Sequence, residues 1–385
     1  HLEPLILRGL AWILAEAEGG AAGGAAPVIV TVALATFAGP KDGTKAVEAQ
    51  MAQMLDRWQA RTGRVARVVL AFGNARRTRQ AARCTLGPAA RHIDWRLPPD
   101  DRTASYLELR ATPATDLARL RLALTPPGGH VAQDLPPMPP DTSLPIRDIA
   151  GREVGRAYHI GPRATAPGVV SPPHLVLAMA PTAERSGCAV APHGAWRLAL
   201  AAAPGPDLHL RAEVQRDDTL AGHPQNGRQS ILDDADAEGW EAETAGYGAP
   251  GAGSAVTRAG THSSFATARS EAVLVVAAAR ASDAAPMRYS AEGDAGLRPS
   301  PTLAALSDRS PARRGLLAAG TLTGSVRAGD GTSVAAARAA RALATLHQAG
   351  PLPVAGPAET AALIAAFGIE GGDPARVGAG VLTLP

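Results

Sequence analysis

Aromatic residues make up only 3% of this 385-residue chain, and its basic residues are mostly arginines scattered along the sequence. No basic stripe interleaved with aromatic residues occurs, although nucleic-acid-binding surfaces usually carry one. The net charge of +3 is also small for this length. We therefore expect no nucleic acid among the partners.

Cysteine and long apolar runs are scarce as well. Cys84 and Cys188 cannot form a disulfide framework, and two free buried thiols are favoured over a single pair. The longest apolar run, residues 28–38, is too short to cross a bilayer and fits a buried strand better. The sequence therefore predicts no membrane segment, and no signal peptide is visible.

The composition that remains is that of a folded protein. Hydrophobic residues make up 46% and charged residues 19%, and the length favours two domains. Alanine, glycine, proline and arginine are heavily used, so short Ala/Gly motifs arise easily by chance. Any such motif needs support from its surroundings.

Helix and strand patterns alternate in the first part of the chain. Residues 5–17 and 44–61 have apolar residues at helical spacing, whereas residues 28–34 and 65–72 are almost continuously apolar. A strand that is buried on both faces has this second pattern. The alternation predicts an α/β fold with a parallel sheet flanked by helices.

Up to about residue 218, short segments follow in which apolar and polar residues alternate, and Pro/Gly clusters separate them. This pattern predicts an inserted β-sandwich of jelly-roll-like type. The α/β pattern resumes with a strand at 271–279, a short strand at 316–320, and helices at 333–349 and 359–367. The predicted organisation is a core part at 1–85, a sandwich at 86–222 and a second core part at 223–385. The predicted sandwich strands are 92–97, 105–111, 118–125, 174–180, 195–203 and 208–215.

The segment 331–336, Gly-Thr-Ser-Val-Ala-Ala, opens the first of these late helices. A serine in the first helical turn lies near unpaired backbone N–H groups and the positive end of the helix dipole, which suits a nucleophile whose attack creates an oxyanion. Ser333 is therefore a candidate nucleophile. The alternative is a plain Thr/Ser cap on an alanine-rich helix.

Asn74 follows the apolar strand at 65–72 through Gly73. A side chain at the carboxyl end of a strand in an open α/β sheet points into the crevice where ligands bind. Its amide is a neutral donor that suits an oxyanion. The alternative is an ordinary Gly-Asn turn.

The order of these pieces resembles that of the subtilisin-like serine peptidases, over residues 5–78 and 255–383. The family motif Gly-Thr-Ser-x-Ala-Ala-Pro matches 331–336 and departs at Ala337. The Ala-Ala-Gly-Asn motif matches at 71–74, with Phe72 in place of the second alanine. Tyr289 and Ser290, ahead of a glycine, resemble a further family segment.

The resemblance implies a serine endopeptidase that acts on polypeptides by an acyl-enzyme route, without a cofactor. Ser333 would be the nucleophile and Asn74 the oxyanion donor. Gly331, Thr332 and the segment Ala33, Leu34 and Ala35 would bind substrate, with the peptide added as a strand. Ala35 stands where the family usually has glycine, and would narrow the specificity pocket. The family is typically secreted, and the inserted domain would gate access or bind a partner.

Family members carry the triad aspartate and histidine ahead of the helix predicted at 5–17. The chain starts at His1 and its first methionine is Met51, so we expect that part to be missing and the chain as given to be inactive. The remaining histidines lack a partner pattern and are interpreted as structural or surface residues: His92, His130, His159, His174, His193, His209, His223, His262 and His347. The alternative is a non-catalytic, protein-binding pseudo-peptidase, which the departures at Ala33, Ala35, Phe72 and Ala337 favour.

An acidic segment at 233–243 is the remaining candidate site. Asp234, Asp236, Glu238 and Gly239 are spaced like the start of an EF-hand loop, but Ala245 stands where a bidentate glutamate is required. A solvated acidic loop is favoured. The family often binds structural calcium, and the resemblance assigns no ligands to it here.

Overall fold

The computed structural model describes residues 2–19, 25–184, 189–217, 227–237, 239–243, 246–267, 269–293, 301–310, 315–351 and 354–383. Cys188, which the sequence predicts to be a free thiol, lies outside these ranges, whereas Cys84 is buried and free. None of the described helices is long and apolar enough to span a bilayer.

The first part of the chain follows the predicted alternation. The elements are α1 (Leu2–Gly19), β1 (Val28–Val32), α2 (Ala46–Thr62) and β2 (Ala66–Ala71). Apolar side chains recur at helical spacing in both helices and are buried there. Gly63 ends α2 in the left-handed conformation that favours glycine, with a φ of 66°.

Twelve strands and one 3₁₀ turn (Ala114–Arg119) follow before residue 215. The six predicted sandwich strands are confirmed, with bounds that shift by at most two residues. The strands are β3 (Ala81–Leu86), β4 (Arg91–Leu97), β5 (Ser105–Thr112), β6 (Leu120–Thr125), β7 (Gln133–Leu135), β8 (Thr142–Arg147), β9 (Glu153–Ile160), β10 (Arg163–Ala166), β11 (Val169–Ser171), β12 (His174–Met179), β13 (Gly194–Ala202) and β14 (Leu208–Val214).

The remaining elements alternate again between strands and helices. They are β15 (Ile231–Asp233), β16 (Trp240–Glu241), β17 (Gly246–Tyr247), β18 (Val273–Arg280), β19 (Leu303–Asp308), β20 (Leu316–Ala319), β21 (Val326–Gly329), α3 (Thr332–Ala349), α4 (Pro357–Phe367), β22 (Gly368–Glu370), α5 (Pro374–Val377) and β23 (Gly380–Leu382).

A mixed α/β core with a largely parallel sheet confirms the predicted fold class. The strand order is β1-β2-β18-β19-β23-β22, and only β22 pairs antiparallel. Alternate residues of β2 serve opposite faces: Val68 and Leu70 pack with α1 and α2, whereas Val69 and Ala71 pack with α3. The buried alanines of α3 allow that helix to lie close to the sheet.

One sequence expectation about this sheet is wrong, and the sequence patterns do not predict one of its strands. Strand β1 is not buried on both faces, because it forms the edge of the sheet among the described strands and most of its residues are half-exposed. The strand beside β18 is β19, which the pattern analysis missed. The predicted short strand at 316–320 is confirmed as β20, which pairs with β21 in a separate hairpin.

Between the two parts of this core, two antiparallel sheets face each other across one hydrophobic cluster. Their strand orders are β3-β14-β5-β12-β9-β8 and β15-β4-β13-β6-β7. Side chains alternate between this interior and the outer faces, and Trp95 and Trp196 are fully buried in it. Strands β3 and β15 join these sheets from outside the predicted range 86–222.

A buried ion pair joins the sheet to α4. Arg67 of β2 donates from Nε to both carboxylate oxygens of Glu359, at 2.8 and 3.1 Å, and both side chains are almost fully buried. The Arg67 guanidinium also donates to Gln59 and to the Ala66 carbonyl. Removing one partner of such a pair is costly, because the remaining buried charge has neither water nor an opposite charge to stabilise it.

We predict that Glu359→Leu lowers the free energy of unfolding by about 3 kcal/mol, because it leaves the Arg67 guanidinium buried without its carboxylate. The double variant Arg67→Met/Glu359→Leu should recover most of that loss. Urea unfolding of the single and double variants measures both effects. A single variant as stable as the parent would contradict the prediction.

Candidate functional site

The candidate nucleophile lies where α3 begins. The helix starts at Thr332, one residue before the predicted start, after Gly331 with a φ of 100° and a ψ of 164°. Ser333 is half-exposed in the first turn, and its hydroxyl donates to the carbonyl oxygen of Ala33 over 3.1 Å. The start of α3 and the end of β1 are therefore in direct contact, although 300 residues separate them in sequence.

Asn74 lies beside the same helix start. Its carbonyl oxygen Oδ1 accepts from both the backbone N–H and the hydroxyl of Thr332, each at 2.9 Å. The Thr332 hydroxyl in turn accepts from the N–H of Gly73 at 3.1 Å. Oδ1 is thus the acceptor of this joint, Nδ2 is the donor of the same side chain, and Asn74 itself is exposed.

The segment Ala33, Leu34 and Ala35 continues from β1 past Ser333. Ala33 is exposed, Leu34 is 48% exposed, and Ala35 is half-buried. Thr36 then turns inward: its carbonyl accepts from the N–H of Ser264 at 2.7 Å, and the two hydroxyl oxygens lie 3.0 Å apart. The segment is thus fixed at its far end and accessible along its first residues.

The only two lysines of the chain, Lys41 and Lys45, anchor the loop that follows. The Lys45 ammonium bonds to Ser264, to Thr36, to the Ala38 carbonyl and to Glu3 on α1. Burial lowers the pKa of Lys45, and the Glu3 carboxylate opposes that change. A compact ammonium with three donors suits such a converging set of oxygens.

Lys41 ties the loop to the β-sandwich. Its ammonium lies 2.7 Å from a carboxylate oxygen of Glu213 on β14, and both side chains are almost fully buried. Burial lowers the pKa of Lys41 to about 8 against the opposing charge of Glu213. The N–H of Gly39 also donates to Glu108 on β5 at 2.8 Å. The sandwich therefore supplies the acceptors that hold the loop beside the candidate site.

His262 lies next to the Asn74 segment, a placement that sequence reasoning missed. Its ring stacks on Phe72 with centroids 5.0 Å apart and planes inclined by 17°. Its Nδ1 lies 2.9 Å from the Ser263 carbonyl oxygen, and burial lowers its pKa to about 3, so the ring is neutral. No local motif marks this stack, because the partners are far apart in sequence.

Other described histidines bond away from Ser333. His159 and His174 bond to backbone carbonyls of the sandwich region, and His209 bonds to Thr85. Within the described residues, no hydrogen bond joins a histidine to the Ser333 hydroxyl. His1 and His223 lie outside the described residues.

The acidic segment after β15 is organised by protein donors. The Asp234 carboxylate accepts from the Ser254 hydroxyl and from the N–H groups of Ala255 and Asp236. In the part of the chain that the structure describes, no group of three or more His, Cys, Asp or Glu residues could hold a metal ion. Glu238 and Ala245 lie outside that part.

Fold and geometry together define an α/β protein in which a serine at a helix start, an exposed asparagine and an accessible strand segment converge. A scan against protein-family models matches none, and no curated protein sequence matches the chain. Among solved structures the chain is similar to the CspB protease of Clostridium perfringens, with a TM-score of 0.66 and 15% sequence identity. The likeness covers 99% of this chain and 69% of that one, and it shows a shared fold with a protease.

Glu48, in the first turn of α2, anchors the strand segment indirectly. One carboxylate oxygen accepts from the N–H of Thr267 at 2.8 Å and from its hydroxyl, a few residues beyond Ser264. Burial raises the pKa of Glu48 from 4.5 to about 7, although the bonds from Thr267 oppose the rise. The folded state therefore binds a proton here more tightly than the unfolded state does.

We predict that the contribution of Glu48 to stability is fully present below about pH 4.5 and is lost as the pH rises through about 7. Glu48→Gln keeps an acceptor for Thr267 and should reduce the loss between pH 5 and 7 by up to about 1.4 kcal/mol per pH unit. Asp217, whose pKa burial also raises to about 7, should leave a residual slope. The free energy of unfolding is measured by urea titration at several pH values. The same dependence of this free energy on pH in parent and variant would refute the prediction.

We predict that Gly331→Ala disturbs Asn74 as well as the backbone. An added Cβ would lie 2.9 Å from Asn74 Nδ2, at a φ that L-residues rarely adopt. Gly324→Ala is the matched control, because its φ is 77° and nothing lies within 4 Å of its Cβ. Both variants should lose about 1–2 kcal/mol of stability through strain.

The two variants are separated by NMR of the Asn74 side-chain amide. Its signals should shift in Gly331→Ala and keep their positions in Gly324→Ala. Equal spectra in the two variants would show that Gly331 is required for its conformation alone.

Proposed function

We propose that the chain belongs to a serine endopeptidase of the subtilisin-like type, with Ser333 as nucleophile and Asn74 as oxyanion donor. The observation that carries the proposal is the convergence of Ser333, Asn74 and the segment from Ala33 at one edge of the sheet. The fold shared with a protease supports it. The family motifs around 71–74 and 331–336 support it further.

In the proposed reaction, the Ser333 oxygen attacks the carbonyl carbon of a peptide bond and its proton passes to a general base. The negative charge moves to the carbonyl oxygen, where Asn74 Nδ2 and the N–H of Ser333 donate to it. Collapse expels the amine, which takes the proton, and leaves an acyl-enzyme that water hydrolyses. The resemblance assigns the base to a histidine that family members carry before the equivalent of α1.

The peptide would lie beside Ala33, Leu34 and Ala35 as an added strand. These residues are open to solvent or half-exposed, and strand addition uses backbone groups, so their side chains need not match the family. Ala35 would narrow the pocket that receives the substrate side chain. We therefore expect small side chains to be preferred at that position.

The proposal is tested with a fluorophosphonate probe on the protein expressed from its complete reading frame. Ser333 should be labelled, and Ser333→Ala should abolish labelling, whereas Ser282→Ala, at an exposed turn, should not. Asn74→Ala should slow labelling by about 10² to 10³, the usual effect of removing one oxyanion donor. Labelling that persists in Ser333→Ala would refute the assignment.

A non-catalytic, peptide-binding protein on the same fold is the second candidate. One observation favours it: the Ser333 hydroxyl donates to the Ala33 carbonyl, which cannot act as a base. Under this alternative, an extended peptide binds along residues 33–35 while the probe labels nothing. Isothermal titration with a peptide, run beside the labelling experiment, distinguishes the two.

A further inference from the structure

A buried hydrogen-bonded pair lies directly behind the helix start that carries Ser333. Asp308, the last residue of β19, is fully buried, and Tyr289 is half-buried beside it. The Tyr289 hydroxyl lies 2.6 Å from Asp308 Oδ2 and accepts from the N–H of Gly331 at 2.8 Å. The function proposed above assigns no role to either residue.

Counting donors fixes the direction of the bonds that join Tyr289 to Asp308 and to Gly331. The carboxylate can only accept, so the single hydroxyl proton of Tyr289 goes to Asp308. The tyrosine oxygen in turn accepts from the N–H of Gly331. The Ser307 hydroxyl lies 2.7 Å from the tyrosine oxygen and 3.2 Å from Asp308 Oδ2, so its one proton has two acceptors within reach. The phenolic hydroxyl therefore donates to Asp308 and accepts from Gly331, and burial together with Asp308 keeps it protonated by raising its pKa.

The other carboxylate oxygen of Asp308 holds a second chain segment. Asp308 Oδ1 accepts from the N–H of Gly315 at 2.6 Å. Gly315 directly precedes the β20–β21 hairpin, and Gly331 follows it, with Leu316 and Gly329 forming the pair nearest its base. The Asp308–Tyr289 pair thus bonds to both chain ends of this hairpin at the point where it enters α3.

We propose that Asp308 and Tyr289 form a clasp that closes the base of the hairpin and sets the position of Gly331, and through it of Ser333. Gly331 adopts a glycine-only conformation packed against the Asn74 amide, so its position decides both the direction of the serine and that of the oxyanion donor. Both residues are positioning residues, since neither touches Ser333. Their effect on reactivity rests on the proposed function; their effect on Gly331 does not.

The test compares Tyr289→Phe, which removes only the hydroxyl, with Tyr106→Phe, which makes the same change on the outer face of the sandwich. Hydrogen exchange at the Gly331 amide should accelerate by about tenfold in Tyr289→Phe, the usual scale for one lost hydrogen bond, and should not change in Tyr106→Phe. Fluorophosphonate labelling of Ser333 should slow by about the same factor.

Asp308→Asn keeps the shape of the side chain and one acceptor oxygen. It and Tyr289→Phe should be non-additive in the double variant, because both act on the same Gly331 bond. If the effects of the two single variants on the exchange rate of the Gly331 amide add up in the double variant, the clasp is overturned. These rates are measurable even where one variant loses stability.

The outcomes separate the two proposals. Labelling of the parent at Ser333 with an unchanged rate in Tyr289→Phe would overturn the clasp and leave the peptidase assignment standing. Absence of labelling in the parent would overturn the peptidase assignment, and the clasp would then be judged on exchange at Gly331. Accelerated exchange there supports it, and unchanged exchange overturns it.

Discussion

The bond between the Asn74 carbonyl oxygen and Thr332 is the constraint on which the candidate site depends. It joins the carboxyl end of a central strand to the amino end of α3, with 258 residues between the partners. The parallel order of the sheet makes the contact geometrically available, and the small side chains of α3 allow the helix to approach. Because Oδ1 is occupied by Thr332, Nδ2 is the group of this side chain that the proposed function assigns to the oxyanion.

The strand segment beside this joint is held by charges that the β-sandwich partly supplies. Lys41 and Lys45 are both buried, and a buried ammonium is costly unless acceptors surround it. Glu3 balances Lys45 from within the α/β part, whereas Glu213 balances Lys41 from the sandwich. The position of the segment after β1 therefore depends on the antiparallel sheets. Without Glu213, the buried ammonium of Lys41 would have no carboxylate partner.

Pattern analysis located the elements whose signal is local. In α1, α2, β2 and α3, the spacing of apolar residues in the sequence matches the faces that the fold buries. The motifs around Asn74 and Ser333 could therefore be placed at the ends of predicted elements. The sequence patterns do not predict β19, because most of its residues are alanine, serine or aspartate and it lacks a continuous run of large apolar side chains. The stack of His262 on Phe72 and the bonds of Tyr289 were beyond prediction, since each pairs residues that only the tertiary fold brings together.

The positions at which the sequence departs from the subtilisin-like motifs that it resembles differ in their structural consequences. Phe72 is accommodated by a specific stack with His262, and Ala337 lies on an exposed helix position where a missing proline removes no contact. The bond from Ser333 to the Ala33 carbonyl is a rotamer choice, since rotation about one side-chain torsion frees the hydroxyl at the cost of a single exposed hydrogen bond. In the proposed function, the reactivity of Ser333 therefore depends above all on the proton acceptor, because a serine hydroxyl without a base is a weak nucleophile.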